Sequence, residues 1–295
     1  MPQPLKKIVA KPVKPKVELP FKLPQIPADL VVNEKTAVPA RMIVSSDVHF
    51  PVHDPATMRA KLAFAKDMQV DGWMELGDLY DCWSISGYGK EPDRWYNKGR
   101  LQEEFDVGSA YWEEVCDIIG DRGNAWFVLG NHEDRLNRFL QANQGLYGLT
   151  SLNNWHTLAG IPSQVKIYPY GSSVKIGKIH YEHGDRVGGK FGVKHRCEWV
   201  LSNRVGMNLI MGHSHKGDLR YRTVLTANGM STYMAANLGH QSDATKQKYA
   251  VNPDWQLGFG YVEHYRVGNN LEFSFYPIHV TRGRFVFNGK VYDGR

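Results

Sequence analysis

Arg41-Met42-Ile43-Val44-Ser45-Ser46-Asp47-Val48-His49 passes within a few residues from an apolar run to a carboxylate and an imidazole. Three later stretches repeat the pattern. Trp73-Met74-Glu75-Leu76 precedes Gly77-Asp78-Leu79-Tyr80-Asp81, Trp126-Phe127-Val128-Leu129 precedes Gly130-Asn131-His132-Glu133, and Leu209-Ile210-Met211 precedes Gly212-His213-Ser214-His215. A short apolar run bounded by turn residues reads as a buried strand. Each polar cluster therefore falls at the C-terminal tip of a strand, the edge of an α/β sheet where ligands collect.

The intervening segments supply helices. Asp54-Pro55 is an N-cap followed by proline at the first helical position, and Met58, Leu62, Ala65 and Met68 keep helical spacing, predicting a helix over 54–70. A second helix is expected across Leu101 to Ile119, so the strands at 41–46, 73–76 and 125–129 form a β-α-β-α-β unit with all three tips on one edge. The chain then reads as helix to about Leu140 and irregular to Gly160. From Gln164 the pattern becomes β-rich, with runs at 165–167, 173–176 and 178–182, the last leading to His183. A helix is expected over Phe191 to Asn203. Past His215 come strands at 220–226, 232–236, 261–267, 271–278 and 284–287, separated by Asn-Gly, Gly-Asn-Asn and Arg-Gly turn signals. Alternating elements followed by strands suggest two sheets face to face with helices outside. The loop from His240 to Gln256 is long for a compact domain.

The clusters, in order D-x-H, G-D-x-x-D, G-N-H-E, a lone His183 and G-H-x-H, resemble the signature of the calcineurin-like metallophosphoesterase superfamily, and the match spans Asp47 to His215. The resemblance implies a four-layer α/β/β/α sandwich of two mixed β-sheets flanked by helices. It also implies a two-metal centre in which Asp47, His49 and His215 hold one ion, Asn131, His183 and His213 the other, and Asp78 bridges them. His132 would face the leaving group, oriented by Asp81, an imidazole whose carboxylate partner favours its charged form. His213 and His215 are two apart, so in an extended segment both would face one side.

The donor types agree with such a centre. Imidazole nitrogen, carboxylate and amide oxygen without thiolate suit manganese first, with iron, nickel, cobalt or zinc as alternatives, rather than a structural zinc site. Two divalent ions, two ligating aspartates and a bridging hydroxide leave a net charge of about +1, and such ions generate a hydroxide nucleophile near neutral pH. One departure stands out. Protein Ser/Thr phosphatases continue the second motif as Asp-Arg-Gly, whereas Asp81 is followed here by Cys82-Trp83, and Ser46 precedes Asp47. The phosphate-gripping arginine of that branch is missing from its usual place; Arg135 or Arg186 could substitute, or could pair with Asp134 or Asp185. His240 follows a β run and could border the site. Between the second motif and its helix, Tyr88, Arg94 and Trp95 lie in a polar stretch that could form a substrate wall, since rings stack on bases and cations meet phosphates.

Composition sets the remaining limits. The 295 residues are 42% apolar and can bury a sizeable core. The formal charge is +6, but residues 1–40 hold seven lysines against Glu18, Asp29 and Glu34, which is +4, and the other 255 residues carry +2. Eight of the 15 prolines fall in the same segment. Residues 1–40 therefore read as an extended Lys/Pro-rich arm able to reach a polyanion, ahead of one domain at 41–295. No segment suits a membrane helix or a secretory signal, and Cys82, Cys116 and Cys197 form no C-x-x-C pattern, so a cytoplasmic setting with reduced thiols is expected. The expected activity is phosphodiester hydrolysis on nucleic acid or nucleotides. The alternatives are a phosphomonoesterase acting on nucleotides or phosphoproteins and a non-catalytic metal-bound scaffold.

Overall fold

The structure is a computed structural model that describes residues 31–33, 37–86, 101–147, 149, 152, 154–188, 194–226, 229–247 and 254–295. Tyr88, Arg94, Trp95 and residues 1–30 of the expected arm lie outside the described residues. No helix among the described residues is long and apolar enough to cross a membrane.

The first half follows the expected alternation. Strand β1 (Val31–Asn33) and β2 (Arg41–Ser45) lead into α1 (Pro55–Asp67), β3 (Gly72–Glu75), α2 (Leu101–Ile119) and β4 (Asn124–Val128). Asp54 caps α1 as its sequence required, its side chain accepting from the Thr57 amide at 2.6 Å. Helices α3 (Asp134–Ala142), α4 (Gln144–Tyr147) and α5 (Trp155–Leu158) precede β5 (Val165–Tyr168), β6 (Ser173–Ile176) and β7 (Ile179–Glu182). Helix α6 (Arg196–Asn203) is shorter than the span expected from Phe191, part of which lies outside the described residues. Then come β8 (Asn208–Met211), β9 (Gly217–Thr226), β10 (Gly229–Leu238), β11 (Gly258–Val267), β12 (Asn270–His279), β13 (Arg284–Phe287) and β14 (Lys290–Asp293).

Two six-stranded sheets result, ordered β1-β6-β7-β8-β10-β9 and β12-β11-β2-β3-β4-β5. Strands β2, β3, β4 and β5 are mutually parallel neighbours, so the tips after β2, β3 and β4 share one edge. In the other sheet β8 runs parallel to both β7 and β10, which brings the segments after β7 and β8 together. The late hairpins are longer than the apolar runs suggested because β9 pairs with β10, and β11 with β12, over all ten residues of each strand.

Side-chain alternation assigns the layers. Met42, Val44, Met74, Trp126 and Val128 meet Val174, Ile179, Tyr181, Ile210 and Met234 between the sheets. The intervening residues Ile43, Trp73, Ala125 and Phe127 face α1 and α2, packing with Phe64, Tyr111 and Trp112. Leu209, Met211 and Ala235 turn outward to Cys197, Val200 and Leu201 of α6. This is the four-layer α/β/β/α arrangement that the resemblance implies. Strand β14, which the sequence did not announce, forms with β13 a hairpin whose Phe285, Phe287 and Tyr292 surround Phe64 of α1.

One contact ties this packing to the loop after β3. Tyr80 is fully buried, and a Cβ placed on Gly108 of α2 would lie 2.2 Å from its ring. Alanine is a better helix former than glycine by about 1 kcal/mol, but the forced overlap costs more, typically about 1–3 kcal/mol. Gly108→Ala should therefore lower the urea-unfolding free energy, by up to about 2 kcal/mol; a raised midpoint would show that α2 is not seated on Tyr80.

Candidate metal centre

Parallel pairing continues past the strand ends and sets the ligand loops in register. Asp47 N donates to Gly77 O at 3.1 Å, His49 N to Asp78 O at 2.9 Å and Phe50 N to Leu79 O at 2.8 Å. From the other sheet, His213 N donates to Asp47 Oδ2 at 2.7 Å, closing the two sheet edges over one spot. Asp47, His49, Asp78, His213 and His215 all have positive φ, between 53° and 68°. For residues other than glycine this left-handed region is uncommon and strained, and such residues cluster at functional sites. His213 and His215 thus do not lie in an extended segment, as their spacing had suggested. Each is left-handed, and their rings go to separate clusters.

The first cluster joins Asp47, His49 and His215. His49 Nε2 lies 3.1 Å from His215 Nε2, and the latter lies 3.2 Å from Asp47 Oδ1. Asp47 Oδ1 is fully buried and has no hydrogen-bond partner, which is costly for a carboxylate oxygen. The second cluster joins Asp78, His183 and His213, with Asn131 alongside. His183 Nδ1 meets Leu76 O at 2.6 Å, so this nitrogen carries the proton. His183 Nε2 then faces Asn131 Oδ1 at 2.9 Å, His213 Nδ1 at 3.2 Å and Asp78 Oδ2 at 3.3 Å. Lone pairs converging on one another with too few protons between them suit a cation.

Between the clusters, His132 Nδ1 meets Asp81 Oδ1 at 2.8 Å, and His49 Nδ1 reaches the same oxygen at 3.2 Å. Asp81 is therefore an orienter of two rings. The structure differs from expectation at the far side of His132. Arg135 Nη2 lies 2.9 Å from His132 Nε2, and Arg135 Nη1 donates to Asp81 O at 2.6 Å. A guanidinium only donates, so in this arrangement His132 Nε2 stands as its acceptor. Asp134 is held by Arg138 at 2.7 Å, while Arg135 is directed to Asp81. Arg186 is elsewhere, over the ring of Tyr170 at 4.8 Å, and Tyr170 OH donates to Asp185. His240 does border the centre. It stacks on His215 with centroids 5.2 Å apart, and burial together with His215 lowers its pKa to about 3, keeping it neutral.

Electrostatics favour positive charge in both clusters. Burial works to raise the pKa of Asp47, but contact with His215 brings it below the ordinary carboxylate range. Asp78 behaves alike, with His132 and His183 outweighing burial, and so does Asp81, through His132 and His49. Burial opposes a charge on His183, yet Asp78 and Asp47 raise its pKa to about 10, while burial and that neighbour lower His213 to about 4.

Sequence reasoning missed three contributors. Glu133, beside the motif asparagine and histidine, accepts from the amides of Gly130, Asp78 and Tyr80 at 2.7, 2.9 and 2.9 Å. Gln241 donates its amide to Asp47 O at 3.0 Å and its side chain to Ser45 Oγ at 2.7 Å. Trp255 sets its edge against His215 at 4.3 Å. The polar residue that closes a motif was the available signal for the first; the other two arrive from a distant loop and carry none.

No family model matches the chain. The Gene 54 protein of Mycobacterium phage D29 is 24% identical over 260 residues, covering 86% of this chain and 98% of that protein. The Gene 54 protein of Mycobacterium phage L5 is 23% identical over the same length and shares of both chains. Among solved structures, Vps29 complexed with zinc from Entamoeba histolytica aligns over 80% of this chain and 98% of its own, at 13% identity and a TM-score of 0.31. Vacuolar Protein Sorting 29 from Cryptosporidium parvum aligns over 87% of this chain and 96% of its own, at 15% identity and a TM-score of 0.39.

The loop after Asp81 is held by a further carboxylate. Cys82, left-handed at φ 47°, donates its amide to Glu104 of α2 at 2.6 Å. Burial, then the Asp81 charge, raises the Glu104 pKa to about 8. In the unfolded chain it ionises near 4.5, so between about pH 4.5 and 8 the folded state binds the extra proton and stability falls as pH rises. Glu104→Gln keeps an acceptor for Cys82 without the charge. Chemical denaturation should show the variant more stable than the parent at pH 8, on the order of 2 kcal/mol, with the difference shrinking towards pH 4.5; a constant difference across that range would refute the assignment.

Proposed function

We propose that the chain hydrolyses phosphoesters at a pair of divalent cations held where its two sheet edges meet, and that phosphodiesters of nucleic acid or nucleotides are its preferred class. The observation that carries this reading is the unpartnered, fully buried Asp47 Oδ1, which faces His215 and His49 inside a converging set of imidazole, carboxylate and amide donors. Asp47, His49 and His215 would hold one ion, and Asn131, His183 and His213 the other. Asp78, whose Oδ2 is 3.3 Å from His183 Nε2, would hold the second ion and would also serve the first, as the resemblance implies. Mixed N/O donors without sulfur suit manganese first, then iron, nickel, cobalt or zinc. Bound there, the cations would supply a water of lowered pKa and neutralise charge on the phosphoryl oxygens.

The remaining roles belong to the chain itself. Asp81 holds the Nδ1 proton of His132 and so aims Nε2 outwards, towards a leaving-group oxygen. Arg135 occupies that nitrogen in the structure. A phosphoryl oxygen offers the guanidinium a better, charged acceptor, and in moving to it Arg135 would release Nε2. The placement of Arg135 also favours a second reading, a phosphomonoesterase, because an added cation beside the site suits a dianionic group. Turnover separates both from a metal-bound scaffold.

Three outcomes check the proposal. Hydrolysis of an aryl phosphodiester should stop on chelation and return with Mn²⁺ more than with Ca²⁺, whose preference is for all-oxygen shells; full activity in chelator would end the two-metal reading. His132→Ala should keep its metals by elemental analysis and lose about 10²–10⁴ in kcat. Arg135→Ala should lose about 10–100-fold in kcat/KM, the worth of one charged hydrogen bond, and more on an aryl monoester than on a diester if monoesters are the natural class.

A further inference from the structure

Strand β1 shows from which side residues 1–30 join the domain. It is the outer strand of its sheet and runs parallel to β6, with Val31 beside Ser173. Strand β6 in turn runs antiparallel to β7, where Val174 faces Tyr181, so Ser173 is level with Glu182, the residue before His183. Val31 therefore stands two strand spacings, about 10 Å, from the end of β7, and the chain ahead of it departs from the sheet edge that carries the metal clusters. The opposite edge is that of the turn at Lys178 between β6 and β7.

Charge is arranged to use this position. Residues 1–30 hold Lys6, Lys7, Lys11, Lys14, Lys16 and Lys22 against Glu18 and Asp29, which is +4 of the chain's formal +6. A further cation lies on the same edge. Arg186 is exposed, its guanidinium lies over the Tyr170 ring at 4.8 Å, and a Cβ on Gly171 would be 2.5 Å from its Cζ. It thus lies against the turn at 169–172 that opens β6, while the neighbouring carboxylate, Asp185, takes the Tyr170 hydroxyl.

Spacing decides the class of ligand. An extended chain covers at most about 3.3–3.6 Å per residue, so Lys22 can lie up to about 30 Å from Val31 and Lys14 up to about 60 Å. A nucleotide presents its phosphates at one point, whereas each strand of a nucleic acid repeats its charge about every 3.4 Å. Lys11, Lys14, Lys16 and Lys22, two to six residues apart, match the repeated charge.

We propose that residues 1–30 act as a cationic arm that holds a nucleic-acid strand at the metal edge, gripping phosphates several nucleotides away from the one under attack. Its part in turnover rests on the phosphoesterase reading, to which it gives a substrate class: polymers rather than nucleotides or small esters. Arg186 would take a phosphate nearer the centre, and the lysines those beyond it. Contacts of this kind position a strand without reading its sequence.

Binding is measured on the full chain by anisotropy of a long fluorescein-labelled oligothymidylate across a salt series, in a His132→Ala background that slows cleavage. Lys14→Gln with Lys16→Gln and Lys22→Gln should weaken binding by about tenfold or more at low salt and flatten the slope of log K against log salt by about 1.4–2.1, two to three phosphates at about 0.7 each. A control, Lys66→Gln with Lys178→Gln and Lys290→Gln, removes the same charge from the opposite edge, where these lysines pair with Glu114, Glu272 and Asp67, and should leave the slope nearly unchanged. An unchanged slope in the arm variant, or an equal fall in the control, overturns the proposal. A labelled dinucleotide, too short to leave the centre, should bind the arm variant and its parent alike; arm dependence there would assign the lysines to nucleotides instead. Polyglutamate that displaces the strand as well as unlabelled strand does would assign the arm to an acidic protein and overturn the proposal equally. Arm-dependent strand binding in a chain that hydrolyses no phosphoester would remove the proposed function and leave the arm. Hydrolysis of an aryl phosphodiester with arm-independent strand binding would do the reverse.

Discussion

The carboxylate of Glu133 locks together two loops that the parallel pairing of β3 and β4 already brings to one edge. It takes the amides of Asp78 and Tyr80 from the loop after β3 and the amide of Gly130 from its own. Asp78 answers in kind, its Oδ1 accepting the amide of His132 at 2.9 Å. The exchange is possible because both loops carry glycine at the crossing. A Cβ on Gly77 would lie 2.5 Å from Gly130 Cα, and one on Gly130 would lie 2.3 Å from Asp78 Oδ1. Burying Glu133 beside Asp78 raises its pKa to about 7, so the arrangement is electrostatically uphill and is sustained by the three donated hydrogen bonds. The clamp thus ties the loop that carries Asp78 to the one that carries Asn131 and His132.

A second layer of polar groups lies under β2. Ser45 Oγ sits between Lys61 Nζ at 2.8 Å and Gln241 Nε2 at 2.7 Å, and Tyr111 OH bridges Lys61, Trp73 Nε1 and Glu75. Burial lowers the Lys61 pKa to about 8, with Glu75 acting against the shift. Such networks are costly where a member lacks a partner, as Glu75 Oε2 and Gln241 Oε1 do here. Here three elements distant in sequence, α1, α2 and the loop at 241, are tied to the strand whose next residues are Ser46 and Asp47.

The sheet strands and the ligand clusters were legible because both depend on local pattern. Ile43 and Trp73 alternate with Met42 and Met74 about a sheet plane, and the polar residues that follow mark the tip. What was not legible depends on tertiary geometry. Arg135 was open to two readings, a phosphate-gripping cation or a partner of Asp134, and only the approach of the loop after β3 brings it to Asp81. Two histidines spaced by one residue suggest an extended segment; a left-handed pair separates their rings instead, and no propensity announces non-glycine residues with positive φ. Strand β14 was missed because Lys290-Val291-Tyr292-Asp293 is short and half polar, and its Tyr292 finds its apolar partner, Phe64, on the distant α1.

Charge explains why these parts belong together. Asp47, Asp78 and Asp81 remain ionised although burial opposes it, and the nearby chain supplies few cations: the Arg135 guanidinium lies against His132 and Asp81, and Lys61 is turned to Ser45 and Glu75. The imbalance appears on His183, whose pKa rises to about 10 with its Nε2 among Asn131 Oδ1, His213 Nδ1 and Asp78 Oδ2. A proton there answers only one cluster, and by charging His183 it helps lower His213 to about 4, so a second proton is refused. A divalent ion offers more charge at one point and accepts several lone pairs at once, which a proton cannot. Ligands of this kind bind metal in their deprotonated forms, so proton and metal compete for the same electron pairs. The strained left-handed loops, the unpartnered Asp47 oxygen and the uphill burial of Glu133 are then costs of one requirement, holding negative charge and lone pairs together where the chain cannot neutralise them itself.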